Sequence, residues 1–186
     1  MAEIKLFRID SRLIHGQIIT KWLKVTQADK IVVVDEMLAA DDFMKEVYVA
    51  AVPKGISVDI YDTDKAMEEW ERNRFGDGKV LVLVRDVATC LRLHARGFSM
   101  DSVQIGELPN GPGRTPVYKA VSFSKQEVEN LKVLYAKNVT TENLDSHDQR
   151  HGDQTDHKKK FFEIFIQPVK YSLHKRHTSV KFITEQ

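Results

Sequence analysis

The chain has 186 residues, 42% of them hydrophobic, a size and balance that suit one globular domain with or without an extension. Its 28 Lys and Arg against 27 Asp and Glu leave a net charge of +1, which argues against a general nucleic-acid binder. The single cysteine, Cys90, excludes an intramolecular disulfide and fits a reducing compartment; no signal-peptide pattern opens the chain and no run approaches roughly 18 apolar residues, so the expected location is cytoplasmic.

Taken in order, strand-like and helix-like patterns alternate over residues 1–137. Ile4 to Asp10 reads as a strand. Gln17 to Val25 reads as a helix, with Ile18, Ile19, Trp22 and Leu23 at helical spacing. Ile31 to Val34 is a β-branched run of the kind found in strands covered on both faces. Asp41 to Ala51 is a helix with Phe43, Val47 and Ala50 inward. Ile56 to Tyr61 is a strand, and Thr63 to Arg74 a helix that buries Ala66, Met67 and Trp70 and closes at Gly76. Val80 to Val84 is a further buried strand. Asp86 caps a helix that stops at Gly97, with Cys90 on it as a buried small hydrophobe. Ser102 to Ile105 and Val117 to Val121 are short strands, and Ser124-Lys125-Gln126-Glu127 is a capping box that opens a helix to Lys137. The fold class is therefore α/β: an open, mainly parallel twisted sheet with helices on both faces. Residues 138–160 are poor in large apolar side chains and read as a polar loop or insertion; 161–186 hold a candidate terminal strand, Phe161 to Pro168, and a tail.

In such sheets functional residues gather at the carboxyl ends of strands. Just past the first strand lies Arg8-Ile9-Asp10-Ser11-Arg12-Leu13-Ile14-His15-Gly16-Gln17. Guanidinium groups bind phosphate bidentately, unpaired N–H groups at a helix start favour anions, and neutral imidazole is a nucleophile near neutral pH. Asp10 could orient one ring nitrogen and leave the other free, while Gly16 leaves room for an approaching group. These residue types equally allow a histidine packed at a strand–helix junction beside surface arginines.

The stretch from Arg8 to Gln17 closely resembles the active-site motif of the mannose/fructose/sorbose-type IIB components of the bacterial sugar phosphotransferase system. The resemblance continues through Ile31-Val32-Val33-Val34-Asp35-Glu36, Val80-Leu81-Val82-Leu83-Val84 and Lys119-Ala120-Val121-Ser122, and covers roughly residues 3–137. It implies that His15 accepts a phosphoryl group, on its δ nitrogen, from a phosphohistidine of a partner IIA domain. His15 would then pass the group to a sugar held by membrane IIC/IID components, with the chain peripherally associated with that permease. Arg12 would clamp the phosphoryl oxygens, Asp10 would orient the imidazole or Arg12, and Gly16 and Gln17 would open the helix that receives the anion. Arg8 would add field or bind the donor domain.

Other strand ends supply second-rank candidates. Asp35 could line the site or hydrogen-bond the Arg12 loop, or simply start a helix together with Glu36; Arg85 could add positive field or be a rim charge. Gly106 and Arg114 bound a glycine-rich loop able to cradle an anion. His147, Asp148, His151, Asp153 and His157 could bind a metal adventitiously, but their polar setting favours a solvated loop, so no metal and no cofactor beyond the covalent phosphohistidine is expected. No Walker A loop occurs, in keeping with a donor that is itself a protein. A regulatory module of the same fold, a phosphate- or nucleotide-binding protein, and a homo-oligomeric state are the alternatives.

Overall fold

In the computed structural model residues 1–143 are described; they fall in the first of two units into which the chain divides, Met1–Leu144 and Asp145–Gln186. The strands are β1 (Glu3–Ile9), β2 (Lys30–Val34), β3 (Ser57–Tyr61), β4 (Lys79–Val84), β5 (Ser102–Ile105), β6 (Arg114–Tyr118), β7 (Val121–Ser124) and β8 (Thr140–Asn143). The helices are α1 (Leu23–Thr26), α2 (Glu36–Ala39), α3 (Asp42–Ala50), α4 (Thr63–Asn73), α5 (Val87–Ala95) and α6 (Lys125–Ala136). Six strands form a parallel sheet in the order β3-β2-β4-β1-β5-β8, and β6 and β7 form a separate antiparallel hairpin. This is the open α/β fold that the alternating pattern predicts.

The uninterrupted apolar runs of β2 and β4 are adjacent, and Ile31–Val34 and Val80–Val84 are wholly buried, because the sheet is covered on both faces. Ile31, Val33, Leu81 and Leu83 face a cluster with Leu13, Ile18, Trp22, Leu23 and Leu38. Aromatic packing builds a second cluster: Trp70 of α4 stacks on Phe98 at 4.1 Å between ring centroids, and Phe98 meets Phe7 of β1 edge-on at 5.6 Å. Asp35, Asp41, Asp62 and Asp86 cap α2, α3, α4 and α5 by accepting a backbone N–H. At α6 both halves of the Ser124–Glu127 capping box are formed. Cys90 is fully buried on α5, and that burial pushes its thiol pKa up, leaving it inert.

Four elements differ from expectation. The helix after His15 is π-helical over Ile18–Trp22 before continuing as α1; such widened turns cluster near functional sites. On α3 the inward pair is Met44 and Tyr48, whereas Phe43 is 72% and Val47 44% exposed. Two apolar stripes one residue apart compete on this helix, and a one-residue shift turns a helix by about 100°. The strand expected at Val117–Val121 is split by a turn at Lys119-Ala120, with φ +34 at Lys119, into β6 and β7. Finally, the polar stretch after α6 begins with β8, which pairs with β5 at the sheet edge. A strand there needs only its backbone ladder, so its polar composition hides it. Phe161 to Pro168 and the His147–His157 group lie outside the described residues.

Strand order also creates the crevice. The chain leaving β1 crosses towards β2, beyond β4, while the chain leaving β4 crosses towards β5, beyond β1. The two connections part at the β1/β4 carboxyl edge, and open sheets of this kind hold their sites at such a point.

Candidate functional site

The site is built from the carboxyl ends of β1, β2, β4 and β5. Asp10 follows β1 directly and is completely buried. Its Oδ2 accepts from Arg8 Nη2 at 2.8 Å and Nε at 3.1 Å, and its Oδ1 accepts from the Arg12 backbone N–H and from Arg12 Nε, each at 3.2 Å. Burial alone would raise the pKa of this carboxyl, but hydrogen bonds from His15 and Arg12 and the charge and hydrogen bonds of Arg8 outweigh it and hold Asp10 well below the usual carboxylate range. Asp10 is therefore an anion at neutral pH within the sheet.

His15 is set by this anion. Its Nε2 lies 3.2 Å from Asp10 Oδ2, and its Nδ1 accepts from the Gln17 backbone N–H at 3.3 Å. A backbone N–H can only donate, so Nδ1 carries the lone pair and Nε2 the proton that faces Asp10. The ring is thus one tautomer with a defined nucleophilic atom. Its side chain is 14% exposed.

The turn that carries His15 is tightly held. The Leu13 N–H closes it on the Asp10 carbonyl at 3.0 Å, and Leu13 adopts φ +55, a left-handed conformation unusual for a branched side chain. Complete burial of Leu13 in the core keeps it there. From outside the turn, Arg85 at the end of β4 donates to the Ser11 carbonyl at 3.0 Å, and Tyr48 of α3 donates to the Arg12 carbonyl at 3.4 Å. Arg85 is itself gripped by Asp35 through two bonds of 2.6 and 3.1 Å, while Asp35 caps α2. Arg85 thus reaches the site through its backbone, and Asp35 through Arg85.

Arg12 is part-exposed and shared. Besides Asp10, it contacts Gln17 Oε1 through Nη2 at 3.4 Å and Glu107 Oε2 through Nη1 at 3.0 Å. Gly106 and Glu107 follow β5, and Gly106 is fixed by contact: a Cβ there would fall 2.6 Å from Arg8 Cζ and closer still to Arg8 Nη2 and Asp10 Oδ2. At Gly16 a Cβ would meet nothing within 4 Å, so nothing inside the described residues requires glycine there.

Two residues expected at the anion are elsewhere engaged. The Arg8 side chain is only 2% exposed; beyond Asp10 it donates to Gln104 Oε1 and lies over the Trp22 ring at 5.2 Å. Pointing into the protein from β1, it serves as the counter-charge of Asp10, and its burial leaves no surface for a donor domain to bind. Arg114 belongs to the β6–β7 hairpin, where it holds the Ser122 carbonyl at 2.7 Å and Glu127 at 3.0 Å. Glu36 hydrogen-bonds the Thr63 N–H at 3.2 Å at the start of α4 and takes no part in the site. Conversely, Gln104, Glu107 and Tyr48 belong to the site and carry no motif. Only Gln104 left a signal, as a polar residue inside the buried strand Val103-Gln104-Ile105.

Fold and site together define an open-sheet α/β protein with a histidine-centred site at the topological switch point. The model of the PTS system sorbose subfamily IIB component matches residues 4–162, and the chain belongs to that family. It is 32% identical over 139 residues to the PTS system mannose-specific EIIAB component of Escherichia coli, covering 75% of this chain but only 43% of that protein. It is also 32% identical to the sorbose-specific EIIB component of Lacticaseibacillus casei, over 73% of this chain and 83% of the relative. Among solved structures it resembles manxB of Thermoanaerobacter tengcongensis, with 33% identity, a TM-score of 0.74, and 89% and 98% of the two chains covered. The IIBSor domain of the sorbose permease of Klebsiella pneumoniae matches with 26% identity and a TM-score of 0.75, over 85% and 97% of the two chains. Among the described residues, no helix is long and apolar enough to cross a membrane.

Proposed function

We propose that this chain is a phosphocarrier in which His15 Nδ1 takes a phosphoryl group from a phosphohistidine of a IIA component and gives it to a sugar held by membrane IIC/IID components. The observation that carries this reading is the division of labour on the His15 ring: Nε2 faces buried Asp10 and Nδ1 is left as the acceptor. The name of the Escherichia coli relative, an EIIAB component, joins an A part to the B part matched here and supports a IIA donor.

Attack by the Nδ1 lone pair forms the new P–N bond while the donor P–N bond breaks, its electron pair returning to the donor ring. The attacking ring becomes a cation, and Asp10 stabilises it through Nε2–H. Phosphoryl transfer depends mainly on positioning and charge stabilisation, which Arg12 supplies from the part-exposed side. Open space at Gly16 admits the donor. The protein acts in the cytoplasm, peripherally at the permease, and uses no cofactor beyond the covalent intermediate.

The test is intact-protein mass after incubation with the general phosphotransfer proteins, a IIA component and phosphoenolpyruvate. Wild type gains one acid-labile phosphoryl group and His15→Ala gains none. Arg12→Lys keeps the charge, loses the bidentate grip and transfers to sugar more slowly. No gain by wild type with a competent donor makes His15 a structural residue.

A further inference from the structure

Arg12 has little left to offer an incoming phosphoryl group. Its Nε and Nη2 face Asp10, Nη2 also faces Gln17, and Nη1 is held by Glu107. The inner charges already cancel, Arg8 and Arg12 against Asp10 and Glu107. Arg8 is fully committed inside the protein. Among the described residues Arg12 is the part-exposed cation beside His15, so a phosphoryl group there draws on Arg12 at the expense of an existing partner. Asp10 is buried and fixed; Gln17 is neutral. Glu107 is the part-exposed anionic partner, with a side chain 32% accessible and a backbone anchored through its carbonyl to the Ser11 N–H at 2.9 Å. Its position is thus rigid while its carboxylate is free to swing away.

We infer that Glu107 is a positioning residue that competes with the phosphoryl group for Arg12 and so sets how readily phosphorylated His15 gives that group up. In the free protein Glu107 parks Arg12 beside the turn. On phosphorylation Arg12 moves from the carboxylate to the phosphoryl oxygens, and Glu107 is left near an anion of the same sign. Both effects weaken retention of the group. On transfer, Glu107 recovers Arg12. This inference rests on the phosphocarrier reading.

The test mixes purified phosphorylated IIA component, freed of phosphoenolpyruvate, with an equal amount of wild type, Glu107→Gln or Glu107→Ala, and reads the phosphorylated fraction at equilibrium by intact mass. Removal of the competing charge raises the equilibrium constant for phosphorylation about 1.5- to 5-fold, the effect of a part-exposed ion pair, and raised ionic strength narrows the difference. The return rate to unphosphorylated IIA falls. A merely structural role cannot produce this gain, because damage to the turn lowers phosphorylation. Whichever variant melts like wild type is the one read; a constant unchanged or lowered in it overturns the role of Glu107 and leaves the phosphocarrier reading intact. If wild type itself takes no phosphoryl group, the reading of the site fails and this inference with it.

Discussion

Replacing Arg8 by Met tests whether Asp10 is held by a true buried ion pair. The Arg8 and Asp10 side chains are 2% and 0% accessible, and Arg8 donates two hydrogen bonds to Asp10 Oδ2. Met keeps the apolar stem but removes both bonds, the donor to Gln104 and the cation over Trp22. Asp10 stays buried, with Arg12 and His15 as its remaining side-chain partners. Breaking a buried pair from one side costs about 3–5 kcal/mol, because Asp10 stays buried with the part-exposed Arg12 as its remaining cationic partner. For a domain of this size that corresponds to a fall in Tm of about 6–20 °C. Urea unfolding of wild type, Arg8→Met, Asp10→Asn and the double variant measures it. The double variant should lose less than the sum of the two singles, because the second change removes the charge that the first left unpaired. A loss below about 1 kcal/mol for Arg8→Met, or simple additivity, would refute the argument that this pair governs the site.

Three further outcomes follow from the same geometry. Gly106→Ala places a Cβ 2.6 Å from Arg8 Cζ and should destabilise by about 1–3 kcal/mol in urea titrations; a wild-type midpoint would mean that the ion pair yields freely. Arg85→Met frees the Ser11 carbonyl and Asp35, so initial phosphorylation rates should fall while stability drops by only about 1 kcal/mol, and Arg85→Lys should rescue little because the grip on Asp35 is bidentate. The depressed pKa of Asp10 sets a pH dependence: the unfolded carboxyl binds protons first, so its contribution is complete above about pH 5 and is lost as the pH falls towards the folded value. Asp10→Asn should lose less stability than wild type between about pH 5 and pH 3. An equal acid loss in both would show that other carboxylates carry it.

Much of this arrangement is legible before folding. The runs Ile31–Val34 and Val80–Val84 can only be strands covered on both faces, and Asp86 and Ser124 mark helix starts by local chemistry. Arg8 to Gln17 stands out because arginines, a carboxylate and a histidine sit together after an apolar run. What misleads is rotation and partnership. Phe43 and Met44 are equally plausible core residues in a linear pattern, and only packing of α3 selects Met44 and Tyr48. Two arginines flanking Asp10 look alike in sequence, yet one is sealed beneath the sheet edge and the other is 36% accessible.

By itself the sequence determines the α/β class, the position of the site after β1, and the residue types able to handle a phosphoryl group, because periodicity, capping and charge clustering are all local properties. Only the tertiary structure decides which arginine is a counter-charge and which can reach an anion. It alone brings Asp35 and Arg85 onto the turn and places Gln104 and Glu107 from a strand almost a hundred residues further on against Arg8 and Arg12. The physical reason is the parallel sheet: each crossover returns a distant strand end to the same edge, and contacts made there depend on strand order, which no local pattern encodes.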